Sequence, residues 1–454
     1  MGKSLIDILR EIKGNLSFLL SVFLIVNATV AKAQRRTGNV YKLTISEAVA
    51  FAKSENKWVK AASLEEHAAG EDRKDVYKSF LPIINVTGSY QRYSGLTLFT
   101  DGLNHASTSP RKPTPNAAGL GVDALYSIYN GGRQRALREE QSARSRLAKV
   151  NTLDQSGNIG FETASEYLNL VRLNELQKFI TDQLKRAHAR LENINALYKN
   201  QKVTKSDVLR AEVNLSGVEL SMMQNENDIK IANQKLVVLL NIPDSVVIWP
   251  IDSANMPKPE MRSLIPLVET AGTSSYILQK AAENVDIQQA RLRLVQSGSL
   301  PNLSFYGAYG VNYPNYIFFP PVDQAYAIGF LGLKAQYSIS SLYHNKSKKI
   351  AAALRMKEAE VQREVYGDRV RTEINAFYIK YGEALTRISV NEHSVEQAKV
   401  NYRIVNTKYL NQLSLLTDLL DADNLYQESR FNLIKAQTDA LGIYYHILYS
   451  SGNL

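Results

Sequence analysis

The residues with the clearest chemical potential are acids placed just after two tight turns. Asp418 and Asp421 stand three apart, so on a helix they share one face. Repeated in several copies around a bore, that face would form paired acidic rings, which favour cations and resist anions. Asp207 holds the corresponding place after an earlier turn. A second reading stays open for all three. An oxygen at a helix start satisfies free backbone N–H groups, so Asp207 and Asp418, with Ser206 and Thr417, also suit caps, and Asp421 suits a dipole-favoured surface acid.

Conventional catalysis finds little here. The six histidines, His67, His105, His188, His344, His393 and His446, are scattered, and none sits in a metal-ligand or nucleophile motif. There is no cysteine, which removes thiolate chemistry, disulfides and a lipidated N-terminal cysteine. Gly131-Gly132 lacks the downstream glycine and lysine of a phosphate cradle. The expectation is no catalytic, metal or cofactor-binding residue, and no enzyme.

The two turns belong to a duplication. Residues 198–211, YKNQKVTKSDVLRA, align with 409–422, YLNQLSLLTDLLDA, at a spacing of 211 with six of fourteen positions identical. The same spacing relates Tyr126-Ser127-Ile128 to Tyr337-Ser338-Ile339, and a slightly different one relates Leu81-Pro82 to Leu300-Pro301. The two repeats are expected at about 42–245 and 262–454.

Each repeat reads as helix, two strands, helix, turn, helix. Apolar residues at Leu173, Leu176, Ile180, Leu184, Ala187, Leu191, Ile194 and Tyr198 step by three and four. After the turn, Val208, Ala211, Leu215, Val218, Met222, Ile229, Ala232 and Leu236 continue, with a polar gap around Asn225. These predict antiparallel coiled-coil helices. No proline interrupts 132–198, so one rod of about 100 Å is expected, with Gly157 and Gly160 as points of bending.

Strands are expected at about 81–93, 117–130, 301–312 and 325–338. Ile84, Val86 and Tyr90 alternate with Asn85, Thr87, Ser89 and Gln91, and Leu120, Val122, Ala124, Tyr126 and Ile128 share one face of the next strand. Leu303, Phe305, Tyr309 and Val311 form a third such face; the last strand is less regular and invites a bulge. Strands of about ten residues, apolar on one side, are the signature of a transmembrane barrel. Four cannot close one, and open edges have no place in a bilayer, so several chains are needed; three would supply twelve strands. Connections at 94–116 and 313–321 become outward loops.

Tyrosines at 90, 93, 126, 129, 306, 309 and 326 cluster around these strands. An interfacial belt uses tyrosine because its ring prefers the acyl boundary while its hydroxyl stays wet; ordinary strand propensity is the alternative.

The first 33 residues read as a signal peptide: Lys3, Arg10 and Lys13, an apolar run from Leu16 to Val26, then Ala31-Lys32-Ala33. Without them the formal charge of +10 becomes +8. Acids alternate with the basic residues, which fits solvated helix faces and argues against nucleic acid.

Leu43-Thr-Ile-Ser-Glu-Ala48, Phe80-Leu-Pro82, Leu300-Pro301, Tyr129-Asn-Gly-Gly132 and the doubled tip together resemble the TolC-like outer-membrane efflux proteins, from about residue 42 to 454. The resemblance implies an α+β membrane protein: a homotrimer with a twelve-stranded β-barrel in outer-membrane lipid, continuous with a periplasmic α-barrel tunnel. Residues 34–454 would be one protomer. It also implies docking to a periplasmic adaptor protein and an inner-membrane pump, and a pore gate at Asp418, Asp421 and Asp207. The exposed turns, Gln201, Val203, Thr204, Gln412, Ser414 and Leu415, become adaptor contacts, with packing against the neighbouring hairpin as the alternative for Leu415 and Leu416. Gln201 and Gln412 stand where the family often has glycine. The belt residues are Tyr90, Tyr126, Tyr129, Tyr309 and Tyr326. The expected role is a passive exit duct for small molecules; a type I protein secretion duct and a non-channel coiled-coil envelope scaffold are the alternatives.

Overall fold

The computed structural model describes residues 40–94, 103, 114–251, 261–315, 317, 322–411 and 413–454. The expected leader at 1–33, Gln412, and most of the two strand-connecting loops lie outside the described residues. In chain order the elements are β1 (Val40–Leu43), α1 (Ile45–Glu55), α2 (Lys57–Lys78), β2 (Ile83–Arg92), β3 (Asn116–Asn130), α3 (Arg133–Lys199), α4 (Lys205–Leu240) and β4 (Val247–Pro250). Then come α5 (Ile265–Ser274), α6 (Tyr276–Ser297), β5 (Asn302–Tyr313), β6 (Tyr326–Gln336), α7 (Ser341–His344), α8 (Lys346–Leu410) and α9 (Leu416–Ser450).

Two rods dominate, α3 with 67 residues and α8 with 65, each about 100 Å long. Toward the sheet they build a four-helix wall in the order α2–α3–α6–α8, and toward the turns in the order α4–α3–α9–α8. So α3 and α8 cross both halves, while α2 hands over to α4, and α6 to α9, at an equator. At the first handover Asn56 caps α2 and donates to the Leu239 carbonyl at 2.9 Å, and Asn241, which ends α4 with φ of 52°, donates to the Glu55 carbonyl at 3.2 Å. At the second, Ser274 donates to the Ser451 carbonyl at 2.6 Å and Gly452 takes φ of 76°. Asn241 and Gly452 lie 211 residues apart: the duplicated left-handed helix stop survives a change of residue type, because asparagine and glycine both tolerate it.

The equator holds the largest core. Ala48, Ala52, Tyr167, Leu170, Val171, Leu236, Leu240 and Ile248 pack there beneath the parallel β1–β4 pair. The Leu43–Ala48 motif gains a physical reason: Thr44 and Glu47 form a reciprocal capping box that starts α1 at this core.

Below it, the α3–α4 seam is a heptad. Leu173, Ile180, Ala187 and Ile194 are buried on α3 against Ala211, Val218, Asn225 and Ala232 on α4. The polar gap at Asn225 is therefore a seam position, where its amide donates to the Leu173 carbonyl at 3.1 Å and to Gln177 at 2.6 Å. A lone buried asparagine of this kind fixes helix register. Gly157 and Gly160, expected as bends, lie inside an unbroken α3; they admit neighbours, since a Cβ at Gly157 would stand 2.8 Å from the Tyr276 ring.

The four long strands form one antiparallel sheet in the order β2-β3-β5-β6, with ends within two residues of the expected ones. One face carries Ile84, Val86, Tyr90, Leu120, Val122, Tyr126, Phe305, Tyr309, Val311, Leu331 and Leu333; the other is the more polar, with Asn85, Thr87, Ser89, Asp123, Ser304, Asn312 and Lys334 beside Ile83, Leu125, Tyr306, Ile328 and Phe330. The bulge lies elsewhere than expected. β6 pairs with β5 without a break, whereas β3 shifts register between Ser127 and Tyr129, so Ile128 is the extra residue and Tyr129 takes the apolar-face position opposite Leu303. The irregular look of β6 comes from Ile328 and Phe330, which stand on the more polar face, and from Gly329 and Gly332, which face Tyr309 and Tyr306 across the strands and whose missing side chains make room for the rings. Tyr326 sits opposite Asn312, on the polar face, apart from the other expected belt tyrosines.

Candidate functional site

Three surfaces carry the expected functional residues: the two turns at the far end of the wall, the helix face just behind them, and the sheet. At the first turn Asn200 caps the end of α3, and Gln201 adopts the left-handed conformation with φ of 56°. Its amide donates to the Tyr198 carbonyl and that of Lys202 to the Leu197 carbonyl, both at 2.9 Å, which closes the last helical turn. Thr204 then starts α4 through a capping box: its amide donates to Asp207 at 2.9 Å and its hydroxyl at 2.7 Å. These bonds, the side-chain one foremost, hold the Asp207 carboxyl below its ordinary value.

The second turn repeats half of this. Leu415 occupies the cap position and cannot accept a bond through its side chain, but its amide donates to Asp418 at 3.0 Å, and Ser414 donates at 2.9 Å. Asp207 and Asp418 thus act as caps, while exposed Asp421 has no bonded partner among the described residues. Of the expected contact residues, Val203 packs into a small core with Ile194, Val208, Ala211 and Leu416, whereas Leu415 is 71% exposed. Leu416 therefore packs on the first hairpin and Leu415 does not. Leu413, which sequence reasoning passed over, is 76% exposed beside it.

Two turns behind the tip, Asp423 is buried and faces Arg186 at 3.2 Å and Arg190 at 3.3 Å, tying α9 of the second repeat to α3 of the first. Tyr402 stacks on Tyr426 nearby, and Arg430 lies 3.9 Å above the Phe179 ring. Burial, reinforced by Asp423, raises the Tyr402 hydroxyl above its ordinary value. Sequence reasoning missed this cluster; the signal was Arg186 and Arg190, one turn apart and flanking the apolar position Ala187. The repeat carries no second copy, because the positions 211 residues away are Gln397 and Asn401, and the counterpart of Asp423 is Glu212.

Nearer the sheet, acids and guanidiniums clamp α3 to α6. Glu140 accepts from Arg144 at 2.7 Å and Arg291 at 3.0 Å, Glu139 pairs with Arg135 and Arg293, and Arg146 bridges Glu283 and Asp286. Burial alone would raise the Glu140 and Glu139 carboxyls, but the arginine hydrogen bonds outweigh it and both sit below their ordinary value.

On the sheet, Tyr126 and Tyr129 lie at the helix-proximal end of the apolar face and Tyr90, opposite Ala118, toward the other. Eight residues of β3 separate Tyr126 from Ala118, about 27 Å of strand. At the ~40° tilt of a barrel strand this is about 21 Å of height, a few ångströms short of a barrel's apolar band of about 25 Å. Tyr309 stands between these levels, opposite Val122. Among the described residues no helix is long and apolar enough to cross a membrane, and no group of His, Asp and Glu could hold a metal.

Residues 49–241 match the family model described as outer membrane efflux protein. The fold resembles the outer membrane protein VceC of Vibrio cholerae (15% identity, TM-score 0.73, 90% of this chain and 96% of that one). It also resembles the CmeC outer membrane channel of Campylobacter jejuni (15%, 0.73, 90% and 85%) and the open-state MtrE outer membrane channel of Neisseria gonorrhoeae (17%, 0.71, 90% and 89%). No curated protein sequence matches. The matched family and these structures are outer-membrane proteins and channels rather than enzymes.

Proposed function

We propose that the chain is a TolC-like outer-membrane efflux protein, seated in the cell outer membrane and extending into the periplasm, and that it is the passive exit duct of a tripartite efflux system. It would release small molecules delivered by a periplasmic adaptor and an inner-membrane pump. Residues 1–33 would direct its export, and the mature chain would act as one of three protomers.

The observation that carries this reading is an assembly left open at both margins. The sheet ends in unpaired β2 and β6, and its apolar face is exposed along its length. The helical wall ends the same way: α4 exposes Leu209, Val213, Leu220 and Ile231 on one margin, and α8 exposes Ile379, Val390 and Ile404 on the other. Different margins that must meet make a head-to-tail contact, which closes into a ring when the rotation between copies is a whole fraction of a turn. Three copies give twelve strands over twelve helices, with the polar sheet face lining the bore.

At the tip, Asp421 is the acid free to line a gate, since Asp418 and Asp207 are engaged in capping. Gln201, Thr204, Ser414 and Leu415 form the adaptor surface, with Gln412 between them in sequence.

Planar-bilayer conductance of the detergent-purified mature protein tests this. A small cation-selective conductance, with selectivity weakened in Asp421→Ala, supports the gated duct. Absence of any conductance, under conditions in which a control porin inserts, would remove the channel reading.

A further inference from the structure

We propose that the rim between the sheet and the start of α8 is a binding site for anionic phospholipid headgroups of the periplasmic leaflet, held by Lys346, Lys348 and Lys349. This rests on the membrane orientation proposed above, with the helices on the periplasmic side.

The strand ends fix the level of the rim. Leu81 before β2, Tyr129 at the end of β3, Leu300 before β5 and Tyr337 after β6 are all exposed at the helix-proximal margin of the sheet. From there the chain runs through Ile339, 70% exposed, to Leu342 and Tyr343, 66% exposed, on the short α7. Asn345 pins this segment to the same level, donating to the Gly298 carbonyl at 3.2 Å and the Ser299 hydroxyl at 3.3 Å, just ahead of β5. Aliphatic and aromatic side chains presented at such a boundary seat at the acyl edge.

The charge that follows is one-signed. Lys346, Lys348, Lys349, Arg355 and Lys357 precede Glu358, the first acid of α8. None of the first three has an ion-pair partner among the described residues. On the neighbouring helices Arg135, Arg144, Arg291 and Arg293 are paired with Glu139 or Glu140, and Arg138 lies over the Tyr77 and Phe80 rings, whereas the three lysines stand together with no acid beside them among the described residues. Cations in the first turn of a helix also oppose its dipole, so the arrangement lacks an internal electrostatic reason. Clustered lysines beside exposed apolar residues at a membrane boundary suit an anionic lipid surface. The lipid of the opposite leaflet is excluded by distance, being a sheet height away.

The test uses the full-length mature protein in nanodiscs of phosphatidylcholine with increasing phosphatidylglycerol. Retained lipid is counted by native mass spectrometry, and conductance is recorded in parallel. Wild type is expected to retain phosphatidylglycerol in preference to phosphatidylcholine, less so as salt rises. Lys346→Gln/Lys348→Gln/Lys349→Gln is expected to lose that preference about tenfold. Lys185→Gln/Lys399→Gln/Lys408→Gln, which removes the same charge far from the rim, should keep it. Equal loss in both variants, or no preference in a wild type that inserts and conducts, overturns the lipid site while leaving the duct intact. Loss of the trimer in the rim variant makes the rim a subunit contact and overturns it as well. A wild type that neither inserts nor conducts overturns both readings.

Discussion

Arg190 of α3 and Asp423 of α9 meet at 3.3 Å with both side chains more than nine-tenths buried, and this pair joins the two repeats directly behind the tip. Breaking such a pair from one side strands a buried charge, which costs about 3–5 kcal/mol. Asp423→Ala leaves two guanidiniums facing each other, so it is expected to destabilise the protein by about 3 kcal/mol in denaturant unfolding and to raise single-channel conductance. Arg190→Met/Asp423→Leu should cost less than Asp423→Ala. Unfolding midpoints that do not separate the variants would deny the pair a structural role.

The two tips differ in one cap. Thr204→Ala removes a full capping box and should cost about 1 kcal/mol. Leu415→Thr completes the half box at the second tip and should gain a similar amount by thermal melting. If exposed Leu415 is an adaptor contact, the same substitution weakens adaptor binding while stabilising the chain. A gain in both would assign Leu415 no contact.

Gln201 is held at φ of 56°, where glycine is at ease and glutamine is strained. Gln201→Gly should therefore raise stability by about 1 kcal/mol. A melting temperature that falls instead would mean that the glutamine side chain makes a compensating contact in the proposed trimer.

Strand pairing in the sheet depends on bare backbone opposite rings. A Cβ at Gly332 would stand 2.9 Å from the Tyr306 ring and one at Gly329 would stand 2.7 Å from the Tyr309 ring. Gly332→Val is expected to block folding of the proposed barrel, read as loss of the heat-modifiable band on gels, while Gly332→Val/Tyr306→Ala restores part of it. Normal folding of the single variant would show that the rings swing aside freely.

Glu139 and Glu140 set an acid limit. Their folded values lie below the ordinary 4.5, so each contributes stability that is present above pH 4.5 and lost as the pH falls through its folded value. Melting temperature should fall steeply below pH 4.5, and Glu140→Gln should flatten that fall while lowering stability at pH 7. A variant that retains the wild-type profile would place the acid limit elsewhere.

Much of this architecture is written in periodicity. The strand faces, the rods and the duplicated turn follow from steps of two, of three and four, and of 211, and these survive because lipid, seam and turn each demand one residue class. What periodicity cannot report is partnership. Asp423 looks like any helix-surface acid until Arg186 and Arg190 arrive from 233 or more residues away, and Asn225 looks like a gap until Leu173 offers its carbonyl. The Ile128 bulge has the same character, since a strand with an extra residue alternates correctly up to the point where its neighbour's register is known.

The unbroken α3 and α8 beside the interrupted α2–α4 and α6–α9 pairs make each protomer behave mechanically like two staves bound by a hoop, with the β1–β4 pair and its core as the hoop. About 35 residues of α3 lie between that hoop and the tip, a lever arm of about 50 Å. Swinging the tip sideways by about 5 Å then requires a tilt of only about 6°. Such a tilt barely disturbs the hoop and leaves the strand rim in place, so in the proposed duct the mouth widens without loosening the membrane seal.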